Sequence, residues 1–228
     1  MKRWYILTLT LVFAFTVVAQ EHEKQRLQAS YEVLHDLLGM PDKGIPTDLL
    51  NKAKCVIVVP SMKKGAFIWG ASYGRGVMVC RSGNEFNGPW SAPAFFALEG
   101  GSFGFQIGGE ATDYVILVMN EKGARSVMTS KVKLGGDASA AAGPVGRTTT
   151  AETDVAMNAE MLSWSRNKGL FAGVSLTGST IRSDDEANKN LYGKDLDAKQ
   201  IILEGEVKTP PPGTELVALL DKVSPHHG

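Results

Sequence analysis

Residues 21–38 place Leu27, Tyr31, Leu34 and Leu38 at i, i+4, i+7 and i+11, with Leu37 beside them. That spacing lays one apolar stripe along a helix, and Gly39 just beyond it is a stop signal. A second, short helix is predicted from Pro46 to Lys52. The period then changes. Cys55 to Val59 is an apolar, β-branched run that Pro60 should end. Ala66 to Cys80 mixes aromatic and β-branched residues with Gly70, Gly74 and Gly76, which predicts a bent pair of strands. Trp90 to Gly108 and Tyr114 to Met119 continue the strand pattern, and Glu121 to Ser130 has helical composition. After a Gly/Ala-rich stretch from Leu134 to Gly146, Val155 to Trp164 and Leu170 to Ile181 predict another long strand pair. A short helix should start at Asp184, with capping residues in front and Gly193 behind. Lys208 to Gly213 reads as a linker and Glu215 to Val223 as a last helix. The sum is one α+β domain over residues 20–224, with a frayed tail at 225–228. Its core would be a curved, glycine-rich antiparallel sheet, barrel-like, with an N-terminal helix and short peripheral helices.

The densest glycine segment is Glu99 to Glu110, EGGSFGFQIGGE. A dinucleotide loop needs G-x-G-x-x-G and a P-loop needs G-x-x-x-x-G-K-[ST]; neither spacing is present. With period two, Phe103, Phe105 and Ile107 fall on one face, and Gly100, Ser102, Gly104, Gln106 and Gly108 on the other. Such a segment is a strand with an aromatic core face and a bare face. Gly100, Gly104 and Gly108 then mark curvature or close approach rather than a phosphate cradle.

Composition narrows the classes. Lys+Arg and Asp+Glu are equal at 24 each, so the formal net charge is zero and the basic excess of a nucleic-acid binder is absent. Met1-Lys2-Arg3 followed by the apolar Ile6 to Ala19 has the form of a signal peptide, with Val17 and Ala19 at the −3 and −1 positions. Cleavage after Ala19 and a secreted or periplasmic location are expected. The two cysteines, Cys55 and Cys80, both sit in apolar strand-like runs. An oxidising compartment permits a disulfide, but two buried thiols are the reading that the runs favour.

Catalytic chemistry finds little support. Gly70-Ala71-Ser72-Tyr73-Gly74 matches G-x-S-x-G, yet the residues after it are strand-like, and the motif needs a strand-to-helix turn. His22, His35, His226 and His227 are scattered without metal-ligand spacing, so neither a metal nor a cofactor is expected. Asp184-Asp185-Glu186 reads as a helix start. Lys63 and Lys64 are expected in a turn between strands, Lys131 and Lys133 at a strand start, and Arg166 and Lys168 in a third turn. Were these turns to converge, they would form a patch for anionic headgroups.

Three stretches carry a resemblance: GSFGFQIGGEATDYVILVMN, LGGDASAAAGPVGR and SRNKGLFAGVSLTGSTIRSDDEANKNLYG. They resemble the SYLF domain, and the match extends from about Leu27 to Val223. The resemblance implies a lipid-binding module without catalysis. Eukaryotic members bind phosphoinositide-containing membranes, and the yeast-type domain also binds and bundles actin. Together with the signal-like segment it points to an exported bacterial member. Such a protein would keep affinity for anionic lipid or membrane surface, with actin and phosphoinositides not expected as ligands. A structural or protein-interaction role in the cell envelope is the alternative.

Overall fold

The computed structural model describes residues 2–40, 44–66, 69–103, 110–145, 158–167 and 169–226. Helix α1 (Lys2–Leu38) and the short α2 (Thr47–Lys52) lead into the sheet. Its centre is β1 (Cys55–Ala66), β2 (Trp69–Cys80), β3 (Ala94–Phe103) and β4 (Glu110–Val118). Helix α3 (Glu121–Thr129) precedes β5 (Val132–Lys133) and β6 (Ala140–Ala142). Then come β7 (Met161–Asn167), β8 (Leu170–Gly173) and β9 (Thr180–Ser183). Helices α4 (Asp185–Tyr192), α5 (Ala198–Ile202) and α6 (Pro211–Val223) follow.

The strands hydrogen-bond in the order β5-β9-β3-β2-β1-β4-β7-β6, with β8 also on β7. All pairs are antiparallel except β6 with β7, so the sheet is mixed rather than purely antiparallel. Its outermost strands, β5 and β6, are joined by residues 134–139 alone. Leu134 and Ala138 form a β-bridge there, and the Gly135 N–H donates to the Ala138 carbonyl at 2.7 Å. The sheet therefore curls into a half-barrel whose edges meet at one tight turn, which leaves little unpaired backbone exposed.

Both faces of the sheet are buried near the Cys55/Cys80 end. The inner face carries Ile57, Met78, Phe96, Ile116 and Ile181, packed against α3 and α5. The outer face carries Val58, Val77, Phe95, Leu117 and Trp164, covered by Leu27, Leu34 and Leu37 of α1 and Leu216 and Leu220 of α6. A strand buried on both sides reads as an unbroken apolar run, which is why Cys55 to Val59 shows no alternation.

Pro60 does not end its strand. Ser61 takes φ 50°, and the register of β1 shifts between Val58 and Lys63 against β2. A bulge absorbs the proline, whose missing N–H is harmless there. Two glycines of β2 admit the bulge. A Cβ at Gly76 would lie 2.3 Å from the Val58 carbonyl oxygen, and one at Gly74 2.6 Å from Val59 Cγ1. These glycines lie within one continuous strand, so residues 66–80 are not a bent pair; the partners of β2 are β1 and β3. Likewise residues 155–181 are not one long pair. β7 pairs with β8, whereas β9 leaves to join β3 and β5.

Cys55 and Cys80 are Cα partners across β1 and β2 and form a disulfide. This overturns the reading as two thiols. Their opposition follows from the hairpin register, which neither apolar run reveals alone.

At the C-terminal end, α6 begins at Pro211, inside the stretch that reads as a linker. Proline at the first helical positions lacks only an N–H that would be unpaired anyway. Helix α5 was not anticipated, although Asp197 and Gln200 form a capping box that is visible as D-x-x-Q. Helix α4 is capped by Asp184, which accepts from the Ala187 N–H, and ends at Gly193 with φ 66°, as expected.

Candidate functional site

The segment EGGSFGFQIGGE divides between two strands, β3 ending at Phe103 and β4 starting at Glu110. These strands are not neighbours, since β2 and β1 lie between them. Residues 104–109, with Gly104, Phe105, Ile107 and Gly108, fall outside the described residues, and so does the side chain of Phe103. Gly100 is described. A Cβ there would meet Ser72 Oγ at 2.7 Å and Ser179 Oγ at 3.0 Å, so the bare position accommodates two hydroxyl side chains. Ser72 itself lies within β2 and donates its hydroxyl to the Gly100 carbonyl. The strand-to-helix turn that a nucleophile elbow requires is absent at Ser72.

Helix α1 crosses the outer face of the sheet, pinned in its middle and near its C-terminal end by arginines from the strands. In the middle Glu23, buried under the helix, faces Arg75 of β2 at 3.9 Å and is hydrogen-bonded by Arg26. Arg75 Nε also donates to Asp184 at 2.5 Å, tying α4 into the same cluster, and this bond raises the Arg75 pKa. Near the C-terminal end Arg166 of β7 donates to Asp36 of α1 at 2.6 Å and to Asp113 of β4 at 2.9 Å. The acidic run at Asp184 is thus more than a helix cap. No local pattern announces this, because its partner Arg75 lies 109 residues earlier.

Beyond this line of arginines the register defines one row across the outer face: Lys133, Thr180, Glu99, Tyr73, Lys63 and Ala111. At strand spacings of 4.7–4.9 Å, Lys133 and Lys63 are about 19 Å apart along the sheet. Glu99 is paired with Arg182 at 2.7 Å. Lys63, Lys131 and Lys133 are exposed, and among the described residues none of their side chains forms an ion pair.

Lys131 and Lys133 flank a strand start as expected, whereas the turns expected at Lys63, Lys64 and Arg166 are placed differently. Lys63 and Lys64 lie within β1, opposite Tyr73 and Ser72, because the bulge carries the strand past Pro60. Lys133 lies in β5, and Lys131 immediately precedes it. Arg166 lies in β7, where its charge is balanced by two carboxylates. The side chain of Lys64, and Lys168 as a whole, fall outside the described residues. The structure thus separates two kinds of cation: arginines that fasten helices to the sheet, and lysines that face outward.

At the opposite end of the strands, Arg81 is only 6% exposed. Its guanidinium stacks over Trp90 at 4.0 Å and donates to the carbonyl and hydroxyl of Ser224 just past α6. Burial lowers its pKa. A neighbouring cleft of about 350 Å³ includes Lys52, Lys54 and His226. Lys54 Nζ in turn donates to Asn87 Oδ1 at 2.7 Å and to the Glu85 and Phe86 carbonyls. The C-terminal, negative ends of α2 and α6 converge here, so these cations neutralise carbonyls of the fold.

Two carboxylates set an acid limit. The hydrogen bond from Arg166 holds the Asp36 carboxyl below its ordinary 3.8. The hydrogen bond from Lys122 and the Ser139 N–H hold Glu160 below 4.5. Both favour folding while ionised; that contribution is intact above the ordinary values and is lost as pH falls through the lower folded-state values. Melting temperatures should therefore drop most steeply below about pH 4, and Glu160→Gln should flatten the drop. An identical profile for that variant would rule Glu160 out as a source.

The chain matches the Ysc84 family model, described as "Las17-binding protein actin regulator", over residues 99–223. It is 37% identical over 183 residues to Protein YSC84 of Saccharomyces cerevisiae, covering 79% of this chain and 38% of that protein. It is 35% identical over 199 residues to LAS seventeen-binding protein 3 of the same yeast, covering 86% of this chain and 42% of the relative. With the human SH3 domain-containing YSC84-like protein 1 the identity is 33% over 182 residues, 79% of this chain and 52% of that protein. The chain spans about half the length of these relatives, or less. With the half-barrel and the three motif stretches in place, the chain belongs to the Ysc84 family, the family of the SYLF domain.

Proposed function

We propose that the protein is a non-catalytic module that binds an anionic lipid or membrane surface at the cell envelope. The observation that carries this reading is the set of outward lysines, Lys63, Lys131 and Lys133, without ion-pair partners among the described residues. Lys64 and Lys168 extend the proposed contact set by sequence. Arg166, the remaining candidate, has its charge committed to Asp36 and Asp113 and contributes by holding α1 in place. Export is supported by the signal-like N-terminus and by the disulfide, which persists in oxidising compartments. In the test, purified protein is sedimented with phosphatidylserine-containing vesicles and with neutral ones. Binding is expected only to the former and should weaken with salt. Reversing the charge of Lys63, Lys131 and Lys133 together should lower affinity by more than about 100-fold, since loss of each near-surface cation alone costs about 1 kcal/mol. An unchanged affinity would remove these residues from the reading.

A second reading is favoured by the family's description as Las17-binding and actin-regulating, and by relatives named for their SH3 domains. Here the same surface would engage a protein. Absence of vesicle binding, together with a saturable protein partner whose affinity falls in the charge-reversal variant, would select it.

A further inference from the structure

Arg81 is a buried cation without a carboxylate. Its Nη2 donates to the Ser224 carbonyl and hydroxyl, but its Nη1 is buried with no hydrogen-bond partner. A charged donor left in that state costs free energy, because nothing replaces the water it lost. Among the described residues Arg81 forms no ion pair. Asp221, which acts on it through space, is exposed.

The cleft that Arg81 lines is cationic throughout. Lys52, Lys54 and His226 line it as well, and no carboxylate does. Lys52 is exposed and, among the described residues, unpaired. Lys54 Nζ meets only neutral oxygens: Asn87 Oδ1 at 2.7 Å, and the Glu85 and Phe86 carbonyls at a weaker 3.3 and 3.4 Å. The neighbouring Glu85 carboxylate instead accepts from Asn87 Nδ2 at 3.4 Å, outside the cleft lining. Phe86 is buried at φ 50°, an uncommon setting for a residue other than glycine and one that collects at binding sites. Against the full charges of Lys52, Lys54 and Arg81, the ends of α2 and α6 set at most about half a negative unit each. An excess of about two positive charges therefore remains.

We infer that this cleft binds a phosphate group carried as a monoester, on a soluble molecule or on a lipid headgroup. Such a group bears about −1.5 to −2 charge at neutral pH, which matches the excess. Its oxygens also suit both cation types, the ammonium as a point charge and the guanidinium as a planar fork. Lys52 and Lys54 hold it at the mouth, Lys54 giving up its two long carbonyl bonds, and Arg81 offers the unpartnered Nη1. Pro225 and His226, which follow α6 outside any helix or strand, form the wall that yields as Nη1 is reached. The site is separate from the outward lysine row. Lys54 and Lys63 stand towards opposite ends of β1, roughly 30 Å apart at the rise of a strand.

In the test, the full chain with its disulfide intact is titrated with inorganic phosphate and with glycerol phosphate at constant ionic strength. Arg81 stacks on Trp90, so tryptophan emission should change saturably, and the melting temperature should rise with concentration. Phosphate also stabilises proteins by exclusion from their surfaces. The share of the site is therefore the difference from Lys52→Gln/Lys54→Gln, whose affinity should be lower by at least about tenfold. Lys52→Gln alone, at an exposed and unpaired position, should show the weakening in part. Arg81→Lys keeps the charge but loses the fork, and should also bind more weakly. The charge-reversal variant at Lys63, Lys131 and Lys133 should respond as the wild type does, so the cleft and the lysine row fail independently. Phosphatidic acid vesicles separate the two sources. Binding to them that the Lys52 and Lys54 substitutions abolish identifies a lipid headgroup; a response to the soluble phosphates alone identifies a free ester. No saturable response to either soluble phosphate or to these vesicles overturns the proposal. So does a response that Lys52→Gln/Lys54→Gln retains in full.

Discussion

Trp164→Ala is expected to cost about 4 kcal/mol of folding stability, the usual range for deleting a fully buried tryptophan and a large share of a typical domain's 5–15 kcal/mol. The indole is wholly buried on the outer face, and its Nε1–H donates to the Pro144 carbonyl at 3.0 Å. The space around it has been cleared by glycines. A Cβ at Gly143 would fall 2.0 Å from the indole Cε2, and one at Gly173, the partner of Trp164 across β7 and β8, 1.9 Å from the Gly143 carbonyl oxygen. Alanine at 164 therefore leaves a hole walled by backbone, which cannot collapse by moving side chains. The converse variant, Gly173→Ala, adds one methyl where backbone already stands, at a cost of roughly 3 kcal/mol. Urea unfolding followed by circular dichroism measures both. Losses under about 1 kcal/mol, the scale of ordinary surface changes, would show that the glycines are not there for the ring.

The second large effect concerns the disulfide. Replacing Cys55 and Cys80 together by alanine should destabilise the protein by about 3.5 kcal/mol on the chain-entropy account for a loop of this length. The separation is 25 residues, and it runs from the first residue of β1 to the last of β2. Both cysteines are fully buried on the inner face, so the alanines also leave small voids beside Met78 and Ile57. Reductant should reproduce the loss in the wild type only after unfolding begins, because the sulfurs are shielded. Equal midpoints for wild type and double variant in urea would show that the bond adds nothing to the closed hairpin.

Much of the fold can be read in the chain. The stripe through Leu27, Leu34 and Leu37, the cap at Asp184 and the αL stop at Gly193 are local signals, and each appears where its chemistry requires. Strand identity was also legible for β1, β3, β4 and β7, because β-branched and aromatic runs carry it. Strand ends and partners were not. Pro60 reads as a terminator because its lost N–H matters in a regular ladder; it does not in a bulge. Gly74 and Gly76 read as a bend because nothing local reveals Val58 and Val59 pressing on them. Lys63 and Lys64 read as turn residues because Pro60 reads as the end of their strand. The arginine clamps were illegible altogether: Arg75 with Asp184 and Arg166 with Asp36 join residues more than a hundred positions apart.

By itself, then, the sequence determined the types of most elements, the signal-like N-terminus, the balanced charge and the family. Each of these depends on residue chemistry or spacing within a few turns or strands. The tertiary structure decided which cysteine thiols meet, which cations are spent on fastening α1 and which face outward. It also decided that EGGSFGFQIGGE ends one strand and begins another that is not its neighbour. Those outcomes depend on register and curl, where one residue of slip exchanges the two faces of a strand, and the hydrophobic pattern is weakest where both faces are buried.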